Sequence, residues 1–181
     1  MGTVEVSKGR ATVSSELGGL KVVIPSKKNV FIMLFLFAWL GGWFFGETSA
    51  IRSLANPKGQ EVGFLAFWLL GWTVGGAFAA LTWLWNLAGR EILGFGPGKF
   101  TYRRAIGPFG LTKTYDLMHM KDMRAVPAPS VFQGNRGLSA WGLSGGQIAF
   151  DYGASTINVG AGVDEAEAKS IVQAIKARYN V

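Results

Sequence analysis

His119, in the run YDLMHMKDM, is the only histidine of the chain, with Asp116 and Asp122 three residues away on either side. A histidine beside a carboxylate is the minimal pair for general base chemistry, provided that a substrate proton comes within hydrogen-bond reach. A metal site asks for more donors. The chain has no cysteine, which excludes disulfides, iron–sulfur clusters and thiolate metal sites. The residue types around His119 therefore read as an exposed or sheet-edge histidine. Met118, Met120 and Met123 suit a core or an adaptable contact surface.

Other catalytic pairings are missing. No Cys–His pair and no paired carboxylates in a cleft-like context occur. Residues 94–98 (GFGPG) are glycine-rich but lack a following Lys-Ser or Lys-Thr, so they do not read as a phosphate-binding loop. They read as the turn from an apolar segment into a sheet. No catalytic residue, metal or cofactor is expected, and the chain reads as non-enzymatic. One basic group has a role in view: Lys99, Arg103 and Arg104 are placed to meet an anionic lipid headgroup. Near an anionic leaflet such residues contribute around 1 kcal/mol each. The same three also serve as the positive flank of a membrane span.

That flank leads to the elements. Two apolar segments, residues 30–45 and 62–87, are separated by a short polar loop. A helix needs roughly 20 apolar residues to cross a ~30 Å hydrocarbon core. The second segment suffices. The first is completed by Asn29 and residues 46–50, with Glu47 at headgroup depth, Ser26 as N-cap, or local thinning of the bilayer. The net charge of +7 is distributed for a membrane rather than for nucleic acid. Lys21, Lys27 and Lys28 precede the first segment, and Arg90, Lys99, Arg103 and Arg104 follow the second. In the loop, Glu47, Arg52, Lys58 and Glu61 cancel. Lys and Arg prefer cytoplasmic flanks, which predicts a two-pass protein with both termini cytoplasmic. The first segment has no small-residue cleavage site and reads as an uncleaved span.

Small residues recur every four positions: Ala38, Gly42 and Gly46 in the first segment, Gly71, Gly75 and Ala79 in the second. In lipid such stripes let helix backbones approach closely. They either face each other within one hairpin or receive a helix from another protein. Trp83 and Trp85 fit an inner interfacial belt and Trp43 an outer one. Trp39 and Trp72 fall nearer mid-depth, where they are lipid-facing bulk or contacts to a large partner with its pigments or lipids. No ionisable residue is read at mid-span, which argues against a channel or transporter built from this hairpin alone.

The flanks carry strand signals at residues 3–6, 11–14, 20–24, 100–106, 111–117, 123–126, 147–152 and 155–159. Two or three N-terminal strands would be marginal alone, so they need the sheet that follows the hairpin. The period then changes: Ala168, Ile171, Val172, Ile175 and Tyr179 share one helix face, and Asp164 with Glu167 reads as a capping box. The implied class is α+β. Residues 1–28 and 94–181 form one split antiparallel sheet or small barrel with a C-terminal helix, and residues 29–93 form the inserted hairpin.

The strand order and the run GQIAFDYGASTINVGAGVDEAEAKSIVQAIKAR resemble the C-terminal half of bacterial membrane-associated pleckstrin-homology-like proteins. The residues that carry the resemblance are Asp151-Tyr152-Gly153, the strand at 156–159, the corner at 160–162 and the capped helix at 164–178. The resemblance spans about residues 90–181, and it implies a binding or scaffolding module for proteins, peptides or lipid headgroups. The departure is the hairpin, inserted between early strands. Residues 125–146 (AVPAPSVFQGNRGLSAWGLSGG) are long for a loop inside a compact domain. Phe132, Arg136 and Trp141 are its interface anchors, since Trp and Arg dominate binding hot spots. Together these features predict an accessory or scaffold subunit of a larger membrane complex, respiratory or photosynthetic. Its partners are other membrane subunits, anionic lipids or a second copy of the chain. The alternative is a lipid-headgroup- or peptide-binding module held at the membrane by its own hairpin.

Overall fold

A computed structural model describes residues 9–16, 18–55, 62–127 and 146–181. The strand read at residues 3–6 and the anchors Phe132, Arg136 and Trp141 lie outside them. The chain divides into two compact units: Met1–Lys27 with Ala88–Val181, and Lys28–Leu87.

The first unit holds two antiparallel sheets among the described residues. β1 (Thr12–Glu16), β2 (Gly19–Pro25), β3 (Gly89–Gly96), β4 (Lys99–Ile106) and β5 (Phe109–Asp116) form a five-stranded meander in that order. A short 3₁₀ turn, Leu117–His119, leads to β6 (Met120–Ala125). β6 forms a three-stranded sheet with β7 (Ile148–Tyr152) and β8 (Ser155–Val159), in order β6-β7-β8. The unit ends in a helix, Glu165–Lys176, here α3.

The sheet closes across the insertion. β2 pairs with β3 from Leu20↔Phe95 to Pro25↔Arg90, and Ser26 N donates to Gly89 O at 2.9 Å. Two adjacent antiparallel strands are usually joined by a turn of a few residues. Here residues 28–87 take that place, and the strands on either side of them belong to one compact unit. The boundary moves, however. Residues 89–93 belong to the sheet, because β3 alternates: Glu91, Leu93 and Phe95 are buried between less buried neighbours. Residues 94–98 are accordingly not a turn out of the span. Gly94 and Gly96 lie in β3, and the turn is the β3–β4 connection, with Gly98 at φ 71°.

The core lies between the two sheets and α3. Leu20, Val22, Ile24, Leu93, Phe95 and Phe100 meet Met120, Met123, Ile148 and Phe150, with Ala168, Ile171 and Ile175 of α3 packed on. The aromatic rings interlock. Phe95 and Phe100 are 4.7 Å apart, and Phe150 sits edge-on to both Phe100 and Tyr115 at 5.4 Å. α3 forms as its period predicts. Asp164 caps it by accepting from Glu167 N at 2.8 Å. The capping box is only half made, because the Glu167 carboxylate turns away and accepts from Ala11 N at 2.6 Å. That bond ties the first strand's approach to the last helix, 156 residues apart.

The second unit is two long apolar helices, α1 (Val30–Ala55) and α2 (Val62–Ala88). Both are long and apolar enough to cross a membrane. The N-cap of α1 is Asn29, whose Oδ1 accepts from Ile32 N at 3.2 Å. Ser26, read as the cap, serves the sheet instead. α1 also runs past residue 50. Thr48 and Ser53 return their hydroxyls to carbonyls four residues back, which carries polar residues within a helix without breaking it. At 1.5 Å per residue both helices are about 40 Å long, so no shortfall in the first needs bilayer thinning.

Candidate functional site

The helix pair is held by indoles rather than by facing small-residue stripes. Trp43 Nε1 donates to Trp72 O at 3.0 Å, and Trp83 Nε1 donates to Met33 O at 3.1 Å. The Trp43 ring occupies the space above Gly76, where a Cβ would lie 2.0 Å from Trp43 Cε2. Gly76 was not in either predicted stripe. Of the six residues read as helix packing, a Cβ on Gly46 would lie 3.7 Å from Trp72 Cζ2, and Ala79 is buried. Ala38, Gly42, Gly71 and Gly75 are exposed, and a Cβ on Gly42, Gly71 or Gly75 would meet nothing within 4 Å. The two stripes therefore do not face each other. The physical reason is register: the bulk of Trp43 selects Gly76 as its seat, and that rotates the four-residue stripe outward. Trp43 and Trp83, read as belt residues, act as clamps between the helices.

The outward face carries a cleft of about 560 Å³ lined by Trp39, Phe67, Trp68, Gly71, Trp72 and Gly75 among others. Trp68 and Trp72 stack at 4.7 Å, and Trp39 leans on Trp72 at 6.1 Å. The two tryptophans read as partner contacts thus line one apolar recess. Beside them, Glu47 Oε1 accepts from Thr73 Oγ1 at 2.6 Å. Glu47 Oε2 and Trp72 Nε1 are shielded from solvent and have no hydrogen-bond partner. Thr73 lies eleven residues into α2, about 16 Å from its start. Glu47 is therefore set against the middle of α2 rather than at its end.

The basic trio is dispersed. Successive residues of a strand point to opposite faces, so Arg103 and Arg104 diverge. Arg103 Nη2 donates to Pro108 O at 3.0 Å on the outer face. Lys99 shares that face but is four residues away, about 13 Å along the strand. Arg104 turns inward, its Nε 3.9 Å from Glu91 Oε1. Lys99, Arg103 and Arg104 do not form one headgroup cradle.

Glu91 is the residue that sequence reading missed. It is 3% exposed, on the inner face of β3, and Oε2 accepts from Gly160 N at 2.6 Å and Ala161 N at 3.3 Å. Gly160 adopts φ 81°, a backbone that suits glycine and aims both amides at the carboxylate. The buried carboxylate thus joins the first sheet to the corner after β8. Burial, and then the Glu91 charge, push the Tyr102 hydroxyl well above its ordinary range. Tyr102 stays a neutral donor at any working pH.

No family model, curated protein or solved structure matches the chain. The geometry alone carries the functional reading. His119 is exposed on the 3₁₀ turn, with Asp116 Oδ2 at 3.8 Å. Among the described residues no group of three His, Asp or Glu could hold a metal ion. On the neighbouring strands, Arg124 bridges Asp122 at 2.8 Å and Asp151 at 3.1 Å. Asp122 sits at φ 48° where β6 shifts register against β7. Thr156 donates to Asp151 at 2.6 Å. Thr156 first, and then Arg124, hold the Asp151 carboxyl below its ordinary value. These groups brace a bulge and are not arranged about a recess.

Proposed function

We propose that the chain is a non-enzymatic, two-pass subunit of a larger bacterial inner-membrane complex, in which it serves as an accessory or scaffold. The observation that carries this reading is the outward cleft between Trp39, Trp68 and Trp72, floored by Gly71 and Gly75. An apolar recess floored by glycine accepts a transmembrane helix from a partner, because the absent side chains let two backbones approach and dispersion contacts accumulate. Glu47 at the middle of α2 adds a second signal. A carboxylate at that depth in lipid is expensive and is usually paired or functional.

The sheet unit is read as a split pleckstrin-homology-like fold. Support comes from the antiparallel meander, the second three-stranded sheet and the capped C-terminal helix. The positive flanks favour a cytoplasmic sheet unit and cytoplasmic termini. Because the native chain has no cysteine, single cysteines at Ser14 and at Ser53 give a clean topology test. A membrane-impermeant maleimide added outside intact cells should label only the second.

The decisive experiment is purification in mild detergent, with mass spectrometry of what co-elutes. Gly71→Leu with Gly75→Leu fills the cleft without touching the α1–α2 contact, since nothing lies within 4 Å of either position. Loss of a stoichiometric partner from this variant, with the chain still in the membrane, supports the scaffold reading. A wild-type chain that elutes alone as a monomer sinks it.

A further inference from the structure

The two sheets of the first unit do not close on each other at every edge. β5 ends the five-stranded sheet and β8 ends the three-stranded one. A cavity of about 410 Å³ lies between these strands. Register shows how its wall is built. Across β3, β4 and β5 the inner face runs in three rows: Phe95, Phe100 and Tyr115; then Leu93, Tyr102 and Lys113; then Glu91, Arg104 and Leu111. The first row is core. The third is polar at its centre and open at its rim, where Leu111 is 83% exposed although it lies on the core-facing side. From the other side, Ile157, Asn158 and Val159 of β8 complete the lining.

The charge of the recess is lopsided. Among the described residues its one carboxylate is Glu91, which accepts from the amides of Gly160 and Ala161 and lies 3.9 Å from Arg104. Two cations line the same space, Arg104 and Lys113. Among the described residues Lys113 has no hydrogen-bond or ion-pair partner. A lysine on an edge strand blunts edge-to-edge pairing, and that alone would explain a lysine facing solvent. It does not explain a lysine on the inner face beside an arginine, next to a recess with apolar walls. A volume within the usual range for small-molecule sites, mostly apolar walls and a few convergent polar groups are the marks of a ligand pocket.

We propose that this cavity binds a small organic anion, a carboxylate or phosphate ester with a short apolar body. The anion is held at Lys113 and Arg104, and the body lies against Leu111, Tyr115 and Ile157. The same chemistry is offered by a soluble metabolite or by the headgroup end of an anionic lipid. The inference is independent of the helix-docking cleft, which lies on the other unit.

The test uses the full chain in nanodiscs of zwitterionic lipid, titrated calorimetrically with 4-phenylbutyrate and, separately, with the neutral 4-phenylbutanol. Saturable binding of the carboxylate is expected, with the alcohol about tenfold weaker or worse, since a charge-assisted contact is lost. Lys113→Ala should weaken the carboxylate about tenfold, and Lys113→Arg should restore it. Leu111→Asp, at an exposed rim position, should abolish binding by placing a like charge at the mouth. Repeating the titration in nanodiscs containing phosphatidylglycerol separates the sources. Competition assigns the anion to a lipid headgroup, undiminished binding to a soluble molecule, and either result upholds the site. Absence of saturable binding, an alcohol that binds as well as the carboxylate, or Lys113→Ala and Leu111→Asp variants that bind like wild type would overturn it.

Discussion

The two units place the same kinds of side chain on opposite sides. In the sheet unit the large apolar residues are inside: Phe100, Phe150, Leu93, Ile148 and Ile171 are fully buried. In the helix pair they are outside: Phe31 is 79% and Phe67 is 77% exposed. On the proposal that the helix pair spans a membrane, the two patterns answer to two solvents. Apolar surface drives a sheet sandwich together because water is excluded. The same effect in water would collapse the helix pair onto itself rather than leave its phenylalanines outward. Hydrocarbon removes that drive between helices and leaves packing and hydrogen bonds as the glue, and the bonds from Trp43 and Trp83 to facing backbone carbonyls are of that kind. On that proposal the sheet is stabilised by what it hides, and the hairpin by where it stands.

The largest effect should come from cutting the two apart. Because β2 and β3 are hydrogen-bonded neighbours, replacing residues 28–87 by Asn-Gly gives them an ordinary hairpin turn. The product is expected to move from the membrane fraction to the soluble one and to show a dispersed amide NMR spectrum. The opposite cut is expected to be ruinous. Residues 88–181 alone lack β2 and therefore Leu20, Val22 and Ile24 of the core, and should be poorly folded until residues 1–27 are added in trans. A soluble, well-dispersed spectrum from 88–181 alone would break the claim that the domain is split.

Next in size is a paired substitution that measures the inversion directly. Phe100→Ala removes a fully buried ring and should cost about 4 kcal/mol. Phe67→Ala removes an exposed one and should change stability by less than about 0.5 kcal/mol. Denaturation of both in the same detergent checks this, and equal losses would erase the contrast between the units. Glu91 tests the one buried carboxylate among the described residues of the sheet unit. Glu91→Ala leaves the amides of Gly160 and Ala161 without an acceptor, a loss of about 3 kcal/mol. Glu91→Gln keeps an acceptor and should lose less. Thermal melts of the two variants order them.

Much of this contrast was legible in the sequence, for a stated reason. α3 could be read because its period, its cap at Asp164 and its apolar face all agree within one element. β4, β5, β7 and β8 could be read because glycine turns set them off. β3 could not. Its Ile92, Leu93 and Phe95 continue the apolar run of α2, and the helix ends at Ala88 with the strand beginning at Gly89, leaving no loop residue between them. Losing β3 also hid Glu91, which lies on its inner face. The glycine stripes failed differently. Period four identifies residues that share a face, but which face meets the neighbouring helix is decided by bulk elsewhere, here Trp43 over Gly76. Arg103 and Arg104 looked like a patch because they are adjacent in sequence, and a strand sends adjacent residues apart.

The smallest expected effect lies at the bulge of the second sheet, and its sign can be worked out. Thr156 and Arg124 hold the Asp151 carboxyl below its ordinary value of 3.8. A carboxyl whose folded value is depressed binds protons less readily in the folded state than in the unfolded one. Its contribution is therefore present above that ordinary value and is lost as pH falls through the depressed one. Near neutral pH the bridge is intact, so stability should be flat there, with the Asp151 share disappearing only in strong acid. Because these groups are solvent-accessible, the share is small and salt should screen it. Asp151→Asn should lower the melting temperature slightly at pH 7 and should converge on wild type as the pH falls into strong acid. In the helix pair the same substitution type, Glu47→Gln, should leave the melting temperature almost unchanged and act instead on what co-purifies. If Asp151→Asn altered the partner and Glu47→Gln altered only the melt, the roles assigned to the two units would have to be exchanged.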